Sequence, residues 1–196
     1  MADFVVPGLV RSMPDESARY LVPSATNCLC EGKYLGSPTV RSHQIWFAFA
    51  RYNRHLARNG SIFGQLINYL AYRLSRSDII HGQIVFFDWE RGTFYTYGVD
   101  WERGVNCWWA KSFDGPIKWE FIEMNCTEEQ EVTMRNFLCN QLGKPYSLYG
   151  AFSLFFAPRS TDGRAWFCSE LMVCAAQAAG LLKHWKEPGA VSPHDL

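Results

Sequence analysis

Apolar residues recur at helical spacing in two stretches of the chain. In GSIFGQLINYLAYRLSR, residues 60–76, they return every three or four positions and form one stripe, which predicts a helix. The stretch CTEEQEVTMRNFLCNQLGKPY predicts a second helix with well-marked ends. Thr127 and Gln130 have the spacing of a capping box at its start, and Gly143 and Pro145 are typical of a helix end.

A third stretch, RAWFCSELMVCAAQAAGLL at residues 164–182, is small and apolar nearly all round and has a glycine, Gly180, near its end. This is the pattern of a buried helix. Its first turn nevertheless contains a cysteine followed by Ser-Glu, and a helix that is only core needs neither a thiol nor a carboxylate. The thiol and the carboxylate at the start of this helix therefore indicate a chemical role in addition to packing.

The apolar period shortens to two residues in the middle of the chain. DIIHGQIVFFDWERGTFYTYGVDW, residues 78–101, contains two β-rich runs separated by a turn-like DWERG, which predicts a hairpin. GVNCWWAKSF and IKWEFIEMN predict two further strands with DGP between them. HQIWFAFARY fits either a strand or a short helix, because its periodicity does not decide. The order helix, antiparallel strands, helix, loop, helix predicts an α+β domain.

The chain has 196 residues, 48% of them hydrophobic, which is enough for one domain with a substantial core. Residues 1–60 are interpreted as an N-terminal extension or arm, either separate or part of the same domain, and residues 61–196 as the main domain. The start of the arm is rich in Pro, Gly, Ser and Asn and predicts extended chain with loops.

Charge and cysteine content narrow the function classes. The formal net charge is zero, without a basic cluster, so neither a nucleic-acid partner nor an anionic membrane surface is expected. Seven cysteines cannot all pair within one chain, and no signal peptide or transmembrane run is present, which together favour a cytoplasmic or otherwise reducing compartment. Cys28 and Cys30 form a CxC without a matching second pair, so we expect no metal and no cofactor.

Cys168 is the candidate nucleophile. At a helix start, backbone N–H groups and the helix macrodipole favour negative charge, so a thiolate there is stabilised and free N–H groups can receive an oxyanion. Free cysteines are nevertheless most often buried packing residues, and Cys174, deeper in the same apolar run, is interpreted in that way. Glu170, in the first turn, is interpreted as a complement to the helix dipole.

A catalytic thiol needs a base, and His81 is the candidate among histidines 43, 55, 81, 184 and 194. His81 opens a predicted strand at the hairpin and therefore has a rigid platform. A histidine in a strand is more often a packing residue, but the pairing with a cysteine at a helix start favours function.

These residues resemble a known family. LGKPYSLYGAF and WFCSELMVCAAQAAGLL are similar to the nucleophile region of the NlpC superfamily of papain-like enzymes, and Cys-Ser-Glu-Leu resembles its YiiX/YaeF-like branch. SDIIHGQIVFF resembles the strand that carries the catalytic histidine in that branch, and SPHDL resembles its C-terminal tail. The likeness covers roughly residues 76–196.

Chain order agrees with one part of this family. Ordinary members have the cysteine before the histidine, but only 28 residues follow Cys168, so the partner must lie upstream. This is the circularly permuted order of the YiiX, lecithin:retinol acyltransferase and poxvirus branches. The resemblance implies a papain-like α+β fold in which an antiparallel sheet packs against helices and the nucleophile begins a helix.

The third catalytic member stays open between Thr96 and Asp100. In the family it orients the imidazole from the strand that follows the histidine. Folding the hairpin about Glu90 sets His81 near Val99 and places the family position at about Thr96. Asp100 lies on the same face by alternation and is chemically better suited.

The resemblance implies a thiol hydrolase or acyltransferase that cleaves an amide or ester bond through a Cys168 thioester, with His81 as general base and Tyr146 of GKPY assisting the oxyanion. Peptide, isopeptide and lipid-acyl substrates all stay open, and SLFFAP before the helix is a weak indication of membrane contact. The tryptophans at 101, 108, 109 and 119 fit either the rim of a cleft or the core. The alternative is a catalytically weak or inactive papain-like binding or structural module, as in a viral or scaffold component, because no carboxylate or amide stands at position 96.

Overall fold

One antiparallel sheet of five strands organises the part of the chain that the computed structural model describes, which is residues 44–51, 69, 72–73, 77–88, 92–110, 113, 118–150, 161–182, 187–192 and 195–196. The strands are β1 (Gln44–Arg51), β2 (Ile79–Asp88), β3 (Thr93–Asp100), β4 (Gly104–Ala110) and β5 (Trp119–Asn125), in the spatial order β4-β3-β2-β1-β5. The helices are α1 (Glu128–Cys139) and α2 (Cys168–Ala178), followed by a 3-10 turn at Pro188–Ala190. The predicted α+β class is confirmed.

Several sequence predictions lie outside the described residues. They concern the start of the N-terminal arm, the CxC of Cys28 and Cys30, the four histidines other than His81, and the SLFFAP run. Of the predicted helix at 60–76, Tyr69, Tyr72 and Arg73 are described and are helical. No helix in the described ranges is both long enough and apolar enough to cross a membrane.

The ambiguous HQIWFAFARY stretch contains strand β1, which lies between β2 and β5. Ile45, Phe47 and Phe49 belong to the core cluster on the α2 side of the sheet, whereas Trp46 and Ala48 belong to a cluster on the opposite face. Because both faces of β1 are covered, its apolar residues run without a gap, and the alternation that identifies a half-buried strand is lost.

The two faces of the sheet differ in what covers them. On one face, Ile84 and Phe86 pack with Leu171 and Met172 of α2. On the other face, Val85 belongs to an aromatic cluster that includes Phe94, Phe113, Trp119 and Phe121. Several of these rings meet edge to face, for example Phe113 and Trp119 with centroids 5.7 Å apart. The abundant aromatic residues therefore contribute largely to packing.

Helix α1 begins with the predicted capping box. The Gln130 amide donates to Thr127 Oγ1 at 3.2 Å, and the Thr127 amide donates to Gln130 Oε1 at 3.0 Å. After the helix, Gly143 adopts a φ of 78°, which glycine tolerates best. The predicted start of this helix is confirmed, but the helix ends at Cys139 with Asn140 as its C-cap, before the predicted end at Gly143 and Pro145.

The loop after α1 is fixed to the edge strand β4. The Val105 amide donates to the Lys144 carbonyl at 2.8 Å, and the Gly143 amide donates to the Val105 carbonyl at 2.8 Å. Gly104, with a φ of 70°, lies so close that a Cβ there would collide with the Lys144 carbonyl oxygen. This contact sets the position of Pro145 and Tyr146, which follow directly.

The two glycine turns provide a matched test of this docking. Gly92 and Gly104 both have positive φ, but a Cβ at Gly92 would meet nothing within 4 Å. Gly92→Ala should cost about 1–2 kcal/mol of unfolding free energy, from left-handed backbone strain alone. Gly104→Ala should cost about 1–3 kcal/mol more, because the backbone of the loop must also move. Denaturant unfolding of both variants measures the difference, and equal losses would contradict the docking.

Candidate active site

Cys168 is the first residue of α2, and Phe167 is its N-cap with extended backbone. The Phe167 side chain makes no capping hydrogen bond, but Glu170 caps from within the helix, since its Oε2 accepts from the Phe167 amide at 3.4 Å. Glu170 Oε1 accepts from the Thr161 hydroxyl at 2.8 Å, and Glu170 is fully buried. The carboxylate thus joins the first turn of α2 to the preceding loop, which is more specific than general dipole complementation.

The backbone N–H groups of Gly82, Ser169 and Cys168 itself favour the negative form of the Cys168 sulfur. Cys168 is only 4% exposed, and burial raises the pKa of its thiol, while the three donors act in the opposite direction. The helix start was expected to give a stabilised thiolate. Burial outweighs the donors, so that expectation is wrong for the resting protein, whose thiol is protonated near neutral pH.

Gly82 reaches the sulfur because α2 packs directly against the backbone of β2. A Cβ at Gly82 would lie 2.5 Å from the Met172 sulfur, so a larger residue here would require the Met172 side chain to move. The ladder between β2 and β3 ends at the pair Ile84 and Tyr97, and Gly82 lies beyond that end. The sequence signal for this role was an isolated glycine inside a strand pattern, next to the candidate histidine.

Tyr146 is held beside the start of α2 by a short parallel bridge to Trp166. The Ser147 amide donates to the Trp166 carbonyl at 2.7 Å, and the Trp166 amide donates to the Pro145 carbonyl at 3.0 Å. Burial raises the pKa of the Tyr146 phenol, and the negative form of Cys168 adds to the rise. The phenol is therefore protonated at neutral pH, and its ionisation is coupled to that of the thiol.

The His81 backbone lies beside the sulfur, since Gly82 is the next residue, but the imidazole extends elsewhere. Its ring packs edge-on against Trp119 with centroids 6.5 Å apart. His81 pairs with Ala50 across the ladder, and by alternation its side chain lies on the face opposite to that of Gly82. In the described residues no hydrogen bond joins the imidazole to the Cys168 thiol. The expected separation of about 4 Å between sulfur and imidazole nitrogen is therefore wrong for this structure, because the two side chains lie on opposite faces of the sheet.

The register of the hairpin differs by one residue from the sequence expectation. Ile84 pairs with Tyr97 and Asp88 with Thr93, so the same register sets His81 across from Asp100 rather than Val99. A shift of one residue exchanges the two faces of a strand. Val99 accordingly lies in the α2-side core, whereas Asp100 is on the face of His81.

The two candidate orienting residues have different surroundings. Burial lowers the pKa of His81 to about 4, and the Asp100 carboxylate opposes this by raising it. Thr96 is fully buried across from Val85, and its hydroxyl has no hydrogen-bond partner. Asp100 is therefore the residue that acts electrostatically on the imidazole.

Asp100 also holds the turn between β3 and β4. Its Oδ1 accepts from the Glu102 amide at 3.0 Å and from the Arg103 amide at 2.7 Å, and its Oδ2 accepts from the Asn106 side chain at 2.9 Å. This turn brings Trp101 against Tyr146, with ring centroids 6.3 Å apart. One turn thus carries both the carboxylate that affects His81 and an aromatic ring beside the Tyr146 phenol.

Ser169 ties the nucleophile helix to the end of the chain. Its hydroxyl donates to the Val191 carbonyl at 2.5 Å, and both residues are fully buried. No sequence pattern predicts this contact, although Ser169 is part of the Cys-Ser-Glu-Leu motif. The contact explains why a polar residue is retained in an otherwise apolar stretch.

Cys174 has surroundings that suppress its reactivity. Burial raises the pKa of its thiol to about 12, with Glu170 and Glu187 adding to the rise and a hydrogen bond with Thr161 opposing it. Cys107, Cys126, Cys168 and Cys174 are not disulfide-bonded, whereas Cys139 is. A reducing compartment does not favour a disulfide, so the expected localisation stays a prediction. Over the described ranges no group of three or more His, Cys, Asp or Glu side chains is arranged to hold a metal ion.

Comparisons with protein-family models, curated proteins and solved structures found no match for this chain. The resemblance to the NlpC superfamily therefore depends on the motifs alone.

The pH dependence of stability tests the placement of His81. Above pH 6.5 its imidazole is neutral in the folded and the unfolded chain, but between pH 6.5 and about 4 only the unfolded chain binds the proton. As pH is lowered from 6.5 to about 4, the free energy of unfolding should therefore decrease. His81 should contribute on the order of 1–3 kcal/mol to this decrease. His81→Gln should remove that part of the fall in denaturant unfolding at pH 7 and pH 4.5. An identical fall in both proteins would show that the imidazole is not buried as described.

Proposed function

We propose that this protein is a thiol hydrolase or acyltransferase that cleaves an amide or ester bond through a thioester on Cys168. The observation that carries the proposal is the position of Cys168 as the first residue of α2, where the backbone N–H groups of Gly82, Ser169 and Cys168 favour the negative form of its sulfur. A packing cysteine needs no such donors, whereas a sulfur that becomes negative, or an oxyanion formed beside it, does. The papain-like fold in permuted order belongs to the same proposal.

The chemistry proceeds in two balanced steps. The thiol proton passes to His81, the sulfur bonds to the carbonyl carbon, and the proton is returned to the nitrogen or oxygen that leaves. Water then attacks the thioester, releasing the acid and restoring the Cys168 thiol, while another nucleophile in place of water gives acyl transfer. The Cys168 amide and the Tyr146 phenol stabilise the tetrahedral oxyanion in both steps.

The protonation states make proton transfer from the thiol to His81 unfavourable in the resting protein, because the lowered imidazole pKa gives a weak base and the raised thiol pKa a weak acid. With a pKa near 4, the His81 imidazole is neutral at pH 7 and able to accept a proton, and the thiol is still protonated. The resting site is therefore a neutral pair and not an ion pair. The imidazole lies on the face of the sheet opposite to Cys168, so the first step requires a rearrangement of β2 around His81 and not only a rotation of the side chain.

The substrate class follows from the motif resemblance. Peptide, isopeptide and lipid-acyl carbonyls remain the candidate substrates, and no cofactor, metal or nucleic acid enters the reaction. Contact with a membrane surface would depend on SLFFAP, which lies outside the described residues.

A papain-like binding or structural module without turnover is the second candidate. It is favoured by the position of the His81 ring against Trp119 and by the absence of a polar orienting contact from Thr96. In that case the sulfur and its donors only pack the start of α2.

Matched cysteine variants separate the two candidates. Cys168→Ala should reduce turnover of activated esters to the uncatalysed rate, a loss of about a thousandfold or more, because no nucleophile remains. Cys174→Ala should leave turnover within about twofold, and circular dichroism checks that both variants fold. A β-lactone probe should acylate Cys168 in the parent protein, as mapped by peptide mass spectrometry. Equal labelling of Cys168 and Cys174, unaffected by His81→Ala, would establish α2 as core only.

The orienting residue is tested with isosteric changes. Asp100→Asn keeps most of the turn but removes the charge that raises the pKa of His81, so kcat should fall by about ten- to a hundredfold. Thr96→Val keeps the shape of a buried side chain that makes no hydrogen bond and should leave kcat nearly unchanged. The reverse pattern, with Thr96→Val inactive and Asp100→Asn active, would identify Thr96 as the third catalytic residue.

A further inference from the structure

Trp101 is a large aromatic side chain in the exposed turn between β3 and β4, with 38% of its surface accessible. The turn is held firmly on both sides. Asp100 accepts from two of its amides, and Gly104 closes it against the Lys144 carbonyl. An exposed ring on a constrained turn is pre-organised for contact, because little conformational entropy is lost when a partner covers it.

The turn places this ring next to the candidate nucleophile. Trp101 meets the Tyr146 ring at an interplanar angle of 73°, and Tyr146 is electrostatically coupled to Cys168. Tyr146 is in turn bridged to Trp166, two residues before the sulfur. Cys168 and Trp166 are buried, so Trp101 is the accessible aromatic member of this chain of contacts.

We infer that Trp101 is a specificity-determining residue that binds a flat apolar or aromatic group of the substrate beside the scissile carbonyl. This inference rests on the proposed function, since it assigns the substrate class of the same site. An indole face binds flat apolar groups by offset stacking and dispersion, and it carries no charge that would select an ionic substrate. The preferred substrate therefore has an apolar group either on the acyl side or on the leaving side of the bond.

Two ester series distinguish these sides. In the first, p-nitrophenyl acetate, hexanoate and 3-phenylpropanoate vary the acyl group with one leaving group. In the second, ethyl and benzyl thioesters of one acyl group vary the leaving side. The kcat/KM ratios are compared in the parent protein, Trp101→Ala, Trp101→Phe and Ile122→Ala. Ile122 is 44% exposed on β5, at the opposite edge of the sheet, and serves as the matched control.

Trp101→Ala should lower the preference for the larger apolar group by about three- to tenfold in one of the two series, and Trp101→Phe should restore most of it. Ile122→Ala should leave both ratios unchanged. Uniform losses across all esters, or unchanged ratios, would overturn the inference and leave Trp101 as packing for Tyr146. Turnover that survives Cys168→Ala, or that is absent from the parent protein, would instead defeat the proposed function itself.

Discussion

The close packing of α2 on the backbone of β2 is the constraint on which the rest of the candidate site depends. Met172 occupies the space where a side chain at position 82 would be, so α2 packs against the backbone of β2 at this point. Gly82 pairs with Phe49 of β1 and lies beyond the end of the ladder between β2 and β3, and its amide favours the negative form of the Cys168 sulfur.

The electrostatic character of the site follows from this burial. Desolvation opposes charge on every member, lowering the pKa of His81 and raising those of Cys168 and Tyr146. A negative charge therefore forms only next to fixed hydrogen-bond donors that stabilise it, and the backbone amides at the start of α2 are such donors. An arrangement of this kind protects a thiol from indiscriminate reaction, whether the protein turns over substrate or only retains the fold.

Much of the fold was accessible from the sequence, and the failures have physical causes. The capping box of Thr127 and Gln130 and the paired strands were predictable because local hydrogen bonds and alternation determine them. β1 was ambiguous because both of its faces are buried. The orientation of His81 could not be predicted, because a hairpin register off by one residue exchanges the faces of a strand, and no local pattern marks the turn centre that closely. Thiol burial was equally hidden, since it depends on contacts between residues distant in the chain.

The hydroxyl of Ser169 connects the first turn of α2 to the segment at 187–192. The Ser169 hydroxyl donates to the Val191 carbonyl, and both residues are fully buried. The segment at 187–192 therefore cannot be displaced without disturbing Ser169, the residue adjacent to Cys168. Glu187 of the same segment also accepts from the Thr161 amide, on the loop that leads into α2. A displacement of the segment at 187–192 would thus be transmitted through these two hydrogen bonds to the residues on both sides of Cys168, and would change the position of the sulfur.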